Sequence, residues 1–138
     1  MRYWIHKISV LFFLSPVVVL LLAQAALAED FEATEIASGV YQFRWVGHNA
    51  MFVTSGDEVV VFDTINSEAA AQLGREILRV LPGAQLTAIV YSHSDADHST
   101  GAPALMESFG LDSVPIIAHE LAVGPIRKGS NPAQPEPT

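Results

Sequence analysis

Between Gly39 and Trp45 the chain alternates, with Tyr41, Phe43 and Trp45 on one side and Val40, Gln42 and Arg44 on the other. A period of two predicts a half-buried strand whose aromatic residues are core. Gly47-His48-Asn49 reads as a turn, Ala50 to Thr54 as a returning strand and Ser55-Gly56-Asp57 as a second turn. Val59-Val60-Val61-Phe62 is a continuous apolar run, the pattern of an interior strand, and it ends at Asp63-Thr64. The period then changes to that of a helix. Ala70, Leu73, Ile77 and Val80/Leu81 form its buried stripe, and Arg75, Glu76 and Arg79 face outward. Asn66 or Ser67 can cap this helix, and Pro82-Gly83 stops it. Leu86 to Tyr91 is the next interior strand. Gly101 to Phe109 predicts a short helix, with Pro103 in its first turn and Gly110 past its end. Val114 to Ala118 reads as a further strand, and His119 to Val123 as one helical turn before Gly124-Pro125. Gly129 to Thr138 carries three prolines and is expected to be a loop or frayed end.

The N-terminus changes the compartment. Arg2 and Lys7 flank an apolar run from Ile8 to Leu22 that contains Ser15 and Pro16, and Ala26-Leu27-Ala28 follows before Glu29-Asp30. These are the parts of a secretory signal peptide, with cleavage expected after Ala28 and export to a periplasm or beyond. The competing reading is an uncleaved anchor, because Ile8 to Ala28 is just long enough to span a bilayer. Pro16 and the Ala-x-Ala ending favour cleavage, after which no membrane association is expected. The expected division is a leader over 1–28, a domain over 29–128 and a proline-rich tail over 129–138.

Charge and cysteine content narrow the chemistry. The chain has 138 residues, a formal net charge of −8 and no cysteine. Loss of Arg2 and Lys7 from its seven basic residues leaves five against fifteen acidic ones, a net of −10. That balance excludes nucleic acid as the expected partner, since Lys and Arg must neutralise phosphates. The absence of cysteine rules out disulfides, thiolate ligands and a cysteine nucleophile. Any metal must be held by imidazole and carboxylate.

Such groups are concentrated in one place. Tyr91-Ser92-His93-Ser94-Asp95-Ala96-Asp97-His98-Ser99-Thr100-Gly101 puts four potential ligands, His93, Asp95, Asp97 and His98, directly after the apolar run Leu86 to Val90. Residues two apart on a strand share a face, so His93 and Asp95 can point the same way, while Asp97 and His98 fall on the turn into the next helix. The carboxyl end of a strand is where open α/β folds place their sites. The bland alternative is a solvated acidic loop with two incidental histidines.

His93-x-Asp95-x-Asp97-His98 resembles the second motif of the metallo-β-lactamase superfamily, His-x-His-x-Asp-His, with aspartate at the second position. Three other stretches carry the resemblance: Gly47-His48-Asn49 before a strand, Val60-Val61-Phe62-Asp63-Thr64 as a strand ending in a structural aspartate, and the small residues Ser99-Thr100-Gly101-Ala102. It covers roughly Gly39 to Glu120. It implies an α/β fold of the α+β type, the N-terminal half of an αββα sandwich with a mixed sheet and helices on one face. By position, His93 and Asp95 would serve one metal and Asp97 and His98 a second, with Asp97 also orienting the attacking water. Zinc, one or two ions, is the implied cofactor. The harder ligand Asp95 favours iron or manganese relative to imidazole.

The implied activity is hydrolysis of a small-molecule ester, lactone, amide or sulfate or phosphate ester. Diiron relatives with an acidic residue at the Asp95 position suggest redox chemistry as a distant third reading. The family completes its site from a second half, and nothing after His98 supplies a matching third-motif histidine, bridging aspartate or final histidine. The expectation is therefore a truncated hydrolase, the alternative a catalytically incompetent remnant or binding module. Asp63 is expected to be structural, bonding backbone or a ligand histidine. His48 reads as an exposed turn residue that could overhang a site, and His119 as a packing or capping residue.

Overall fold

In the computed structural model, residues 31–129 and 134–138 are described; the expected leader over 1–28 lies outside them. Six strands form one mixed sheet in chain order: β1 (Phe31–Ala37), β2 (Val40–Trp45), β3 (His48–Ser55), β4 (Glu58–Phe62), β5 (Gln85–Tyr91) and β6 (Ile116–Ala118). The first three pairings are antiparallel hairpins, and β5 and β6 join in parallel. The two parallel steps each need a crossover. They are made by α1 (Ser67–Val80) and by two short helices, α2 (Ala96–Ser99) and α3 (Ala102–Ser108). A last helix, α4 (Glu120–Gly129), follows β6.

Registry puts Tyr41 beside Phe52, Phe43 beside Ala50, Phe52 beside Val61 and Val61 beside Ile89. Phe43, Phe52, Val61 and Ile89 are fully buried on that face, against Ala69, Ala70, Leu73 and Ile77 of α1 and Leu105 of α3. The expected helix stripe is thus observed, and the Asn66 side chain caps α1 by accepting from the Ala69 N–H at 2.9 Å. Glu76 departs from expectation: its side chain is only 13% exposed and pairs with Arg79 at 2.7 Å. The opposite sheet face carries Met51, Val60, Phe62 and Val90 half-buried, and Ile117 exposed, with no helix over it among the described residues.

Four further boundaries differ from the sequence reading. β1 was not expected, because Phe-Glu-Ala-Thr-Glu-Ile-Ala lacks large residues at alternate positions; Phe31 is its largest anchor, stacking on Phe43 at 5.9 Å and Trp45 at 6.1 Å, with Ala33 also packed against the core. β3 starts at His48, so the hairpin turn is Val46-Gly47, with Val46 at φ 51. A β-branched residue there is strained. β6 is shorter than expected because Pro115 has no N–H for the ladder, although its carbonyl accepts from Ile89 at 3.0 Å. α4 runs on through Pro125 instead of stopping before it.

The tail is also better held than expected. The Thr138 N–H donates to the Ile116 carbonyl at 2.9 Å and the Ile116 N–H to Thr138 Oγ1 at 3.3 Å, covering the outer edge of β6. Gln134 is buried and donates from Nε2 to the Ser94 carbonyl at 3.1 Å, tying residues 134–138 to the ligand loop.

Tyr91 is 2% exposed and its hydroxyl has no hydrogen-bond partner among the described residues. Desolvation by burial pushes this phenol above its ordinary range. Below about pH 10, the reference phenol value, it therefore has no effect on stability; above it the unfolded chain ionises first and stability falls. An orphan hydroxyl costs desolvation without return. Tyr91→Phe is expected to leave stability unchanged or raise it by about 1–2 kcal/mol, read from urea unfolding at neutral pH.

Candidate metal centre

The site gathers at the carboxyl ends of β4 and β5, which are fastened together there. The Asp63 N–H donates to the Val90 carbonyl at 2.9 Å, the Thr64 N–H to the His98 carbonyl at 2.7 Å, and Thr100 Oγ1 to the Ile65 carbonyl at 3.2 Å. Asp63 and Ile65 both adopt left-handed backbone, at φ 61 and 59. The positive φ turns the chain sharply as it leaves β4 and leaves the Asp63 carboxylate buried beneath the ligand segment.

That carboxylate organises the histidines. Oδ1 accepts from the Ser92 backbone N–H at 2.8 Å, and Oδ2 accepts from Ser92 Oγ at 2.6 Å and from His98 Nδ1 at 2.9 Å. The Ser92 proton is thereby committed to Asp63, so at the 2.7 Å contact between Ser92 Oγ and His93 Nδ1 the ring nitrogen is the donor. Both imidazoles then carry their proton on Nδ1 and present an unprotonated Nε2. This tautomer assignment follows from the hydrogen-bond network. The structural role expected for Asp63 is what the hydrogen bonds give it, and Ser92, given no role in the sequence reading, joins it.

The four expected ligands come together unequally. His93 and His98 lie with ring centroids 4.0 Å apart. His93 Nε2 faces Asp95 Oδ2 at 3.6 Å, and Asp97 Oδ2 faces His48 Nδ1 at 3.7 Å. Two groups bring three ligand atoms within 4.8 Å of one another: His48, Asp97 and His98, and Asp63, His93 and His98. Asp95 belongs to neither, and its side chain is 70% exposed. His48 is thus part of the cluster. The register of β3, which pairs Trp45 with His48 and so starts two residues earlier than its apolar pattern, is what brings it there. His119 is a cap, its Nδ1 accepting from the Leu121 N–H at 3.2 Å. An open recess of about 280 Å³ beside His93 is lined by Ser92, Ser94, His119, Leu121 and Ala122.

The residues fit a divalent cation. Both His–Asp pairs oppose a nitrogen and a carboxylate oxygen at distances too long for a hydrogen bond. They are close to the ~3.3 Å separating two ligands of one tetrahedral ion with bonds of about 2.0–2.1 Å. Imidazole and carboxylate are also the donors that zinc, iron and manganese share.

The fold is an α+β domain whose sheet end carries a cluster of imidazoles and carboxylates, buttressed by a buried aspartate, with candidate metal-ligand groups. The sequence profile of the metallo-beta-lactamase superfamily matches residues 43–135, and the chain belongs to that superfamily. No curated protein matches it. Among solved structures it is similar to a metallo beta lactamase from Erythrobacter litoralis, crystallised with beta-mercaptoethanol in its active site. The identity is 22% and the TM-score 0.58, over 72% of this chain and 46% of that one. It is likewise similar to a metallo beta lactamase from Hirschia baltica, at 19% identity and a TM-score of 0.62, over 78% of this chain and 51% of that one. These likenesses carry the fold, and the chain spans about half the length of the structures it matches.

Proposed function

We propose that this chain carries the first ligand set of an exported, metal-dependent hydrolase acting on a small-molecule ester, lactone, amide or sulfate or phosphate ester. The observation that supports it best is the hydrogen bonding from Asp63 to His98 and, through Ser92, to His93, which leaves both rings offering Nε2. His93 with Asp95 would hold one ion, and Asp97 with His98 a second. Zinc suits the donors; Asp95, supplying an oxygen where imidazole stands in the family motif, also suits iron or manganese. When bound, the metal supplies Lewis acidity and lowers the pKa of a coordinated water to about 7.

The chain's own contribution is positional. Asp63 and Ser92 hold the two rings in one tautomer. Asp97, 57% exposed at its side chain, can accept a proton from an incoming water and aim its lone pair. The recess beside His93 offers room for part of a substrate. Export is supported by the leader-like segment alone; among the described residues no helix is long and apolar enough to cross a membrane.

The test is turnover of a panel of such substrates by the purified chain loaded with zinc, manganese or iron, with metal content read by mass spectrometry. Asp97→Asn is expected to lower turnover at least 100-fold with the circular dichroism spectrum unchanged, within the usual span for a positioned acid–base group. Unchanged turnover in that variant overturns the role of Asp97. Metal uptake without turnover in the parent chain favours the binding-module reading.

A further inference from the structure

We propose that His48 is a metal ligand, completing with Asp97 and His98 a three-residue cation site within these residues. The inference rests on the metal-binding reading above and adds a ligand from a different part of the chain. The ligand atoms of the three residues lie within 4.8 Å of one another, and His48 Nδ1 is 3.7 Å from Asp97 Oδ2. The His48 and His98 rings meet edge-on, with centroids 6.3 Å apart and planes at 75°.

The backbones of all three are fixed. His48 opens β3 and is registered against Trp45, while Asp97 and His98 sit in α2, whose His98 carbonyl accepts from Thr64. The rival group of Asp63, His93 and His98 is weaker, because both Asp63 oxygens are already occupied by Ser92 and His98. That same bond takes the Nδ1 proton of His98 and leaves its Nε2 for the ion.

Two imidazoles and one carboxylate with the remaining positions open are the donors of a catalytic zinc site or of a ferrous centre. The chain has an aspartate, Asp95, where the family motif has its second histidine. His48 returns an imidazole to the cluster from the neighbouring hairpin. Its side chain is 41% exposed and half-open to solvent, as a ligand at the mouth of a site should be.

The experiment titrates zinc alone into the full chain, reading affinity by competition with a chromophoric chelator and ligation by nitrogen-15 shifts of the imidazoles. The expected result is a zinc-dependent shift of the His48 and His98 ring nitrogens. His48→Gln should weaken one site by more than the 10–100-fold that loss of an outer-shell partner costs, and His48→Asp should recover part of it. Lys128→Gln, exposed in the last turn of α4, should bind as the parent does. Zinc binding with an unmoved His48 resonance and an unchanged affinity in His48→Gln overturns this inference and leaves the metal-binding reading standing. No zinc binding by the parent chain overturns both. The spectroscopic result uses the parent protein, so it does not depend on the variants folding.

Discussion

Asp63→Asn is expected to lower zinc affinity by about 10–100-fold and stability by about 1–3 kcal/mol, with the fold otherwise retained. Asparagine tolerates the left-handed backbone at φ 61 nearly as well as aspartate, so the turn out of β4 should survive. The hydrogen bonds cannot. One carboxylate accepts from the Ser92 N–H, Ser92 Oγ and His98 Nδ1. A carboxamide has a single acceptor oxygen, and its NH₂ group must face one of those donors. If it faces His98, the ring is driven to the tautomer protonated on Nε2, and the lone pair meant for the metal is gone. If it faces the Ser92 N–H, a half-buried backbone donor is orphaned. Chelator competition reads the zinc affinity, and urea unfolding of the metal-free protein reads the stability. Parent-like zinc affinity in the variant would show that the relay does not set the presentation of His98.

The second large effect is steric. Gly101 has φ −81, an ordinary helical value, so it is not needed for backbone freedom. Space is the reason. A Cβ there would sit 2.3 Å from the Thr64 carbonyl oxygen, 2.6 Å from that of Asn66 and 2.7 Å from Ala70 Cβ. None of these can swing away: the Asn66 carbonyl accepts from Ala70 at the start of α1, and the Thr64 N–H is bonded to His98. Gly101→Ala is therefore expected to destabilise by about 2–3 kcal/mol or more, the upper range for overpacking, because relief requires moving the α2–α3 segment off α1. Since His98 lies three residues before it, zinc affinity should fall in parallel. A denaturation midpoint equal to the parent's would show that the junction is looser than these distances indicate.

Much of the fold was legible because its signals are strong where the core is dense. The runs 59–62 and 86–91 and the stripe of Leu73 and Ile77 each have one physical interpretation, and the structure bears them out. β1 was not legible, because only Phe31 and Ala33 pack partly against the core and the rest of its order comes from pairing with β2. The tail was read as a loop or frayed end, and residues 134–138 carry no regular structure; what composition does not announce is that Gln134 and Thr138 find partners on Ser94 and Ile116.

At the site, the dense cluster 93–98 stands out in sequence, whereas His48 and Ser92 do not. Their roles depend on which strand ends meet, and a turn histidine and a lone serine look the same whether or not an aspartate waits beneath them. The family resemblance pointed to Asp63, but its three hydrogen bonds had to be seen.

The sheet order carries a consequence for how the molecule assembles. Strands β1 to β6 lie side by side in the order in which they are synthesised. Each therefore pairs with one that precedes it closely in the chain, and only the two parallel steps need long loops to close. Short sequence separation between contacts speeds folding, because little chain entropy is lost before pairing returns energy. The meander of β1 to β4 can form first, which sets His48 and Asp63 in position before Ser92 to His98 arrive on β5. The slow event should be closure over α1, when β5 docks along β4. The ligand cluster is then made in the same step that completes the sheet interior, so unmetallated protein should reach its binding geometry by folding alone.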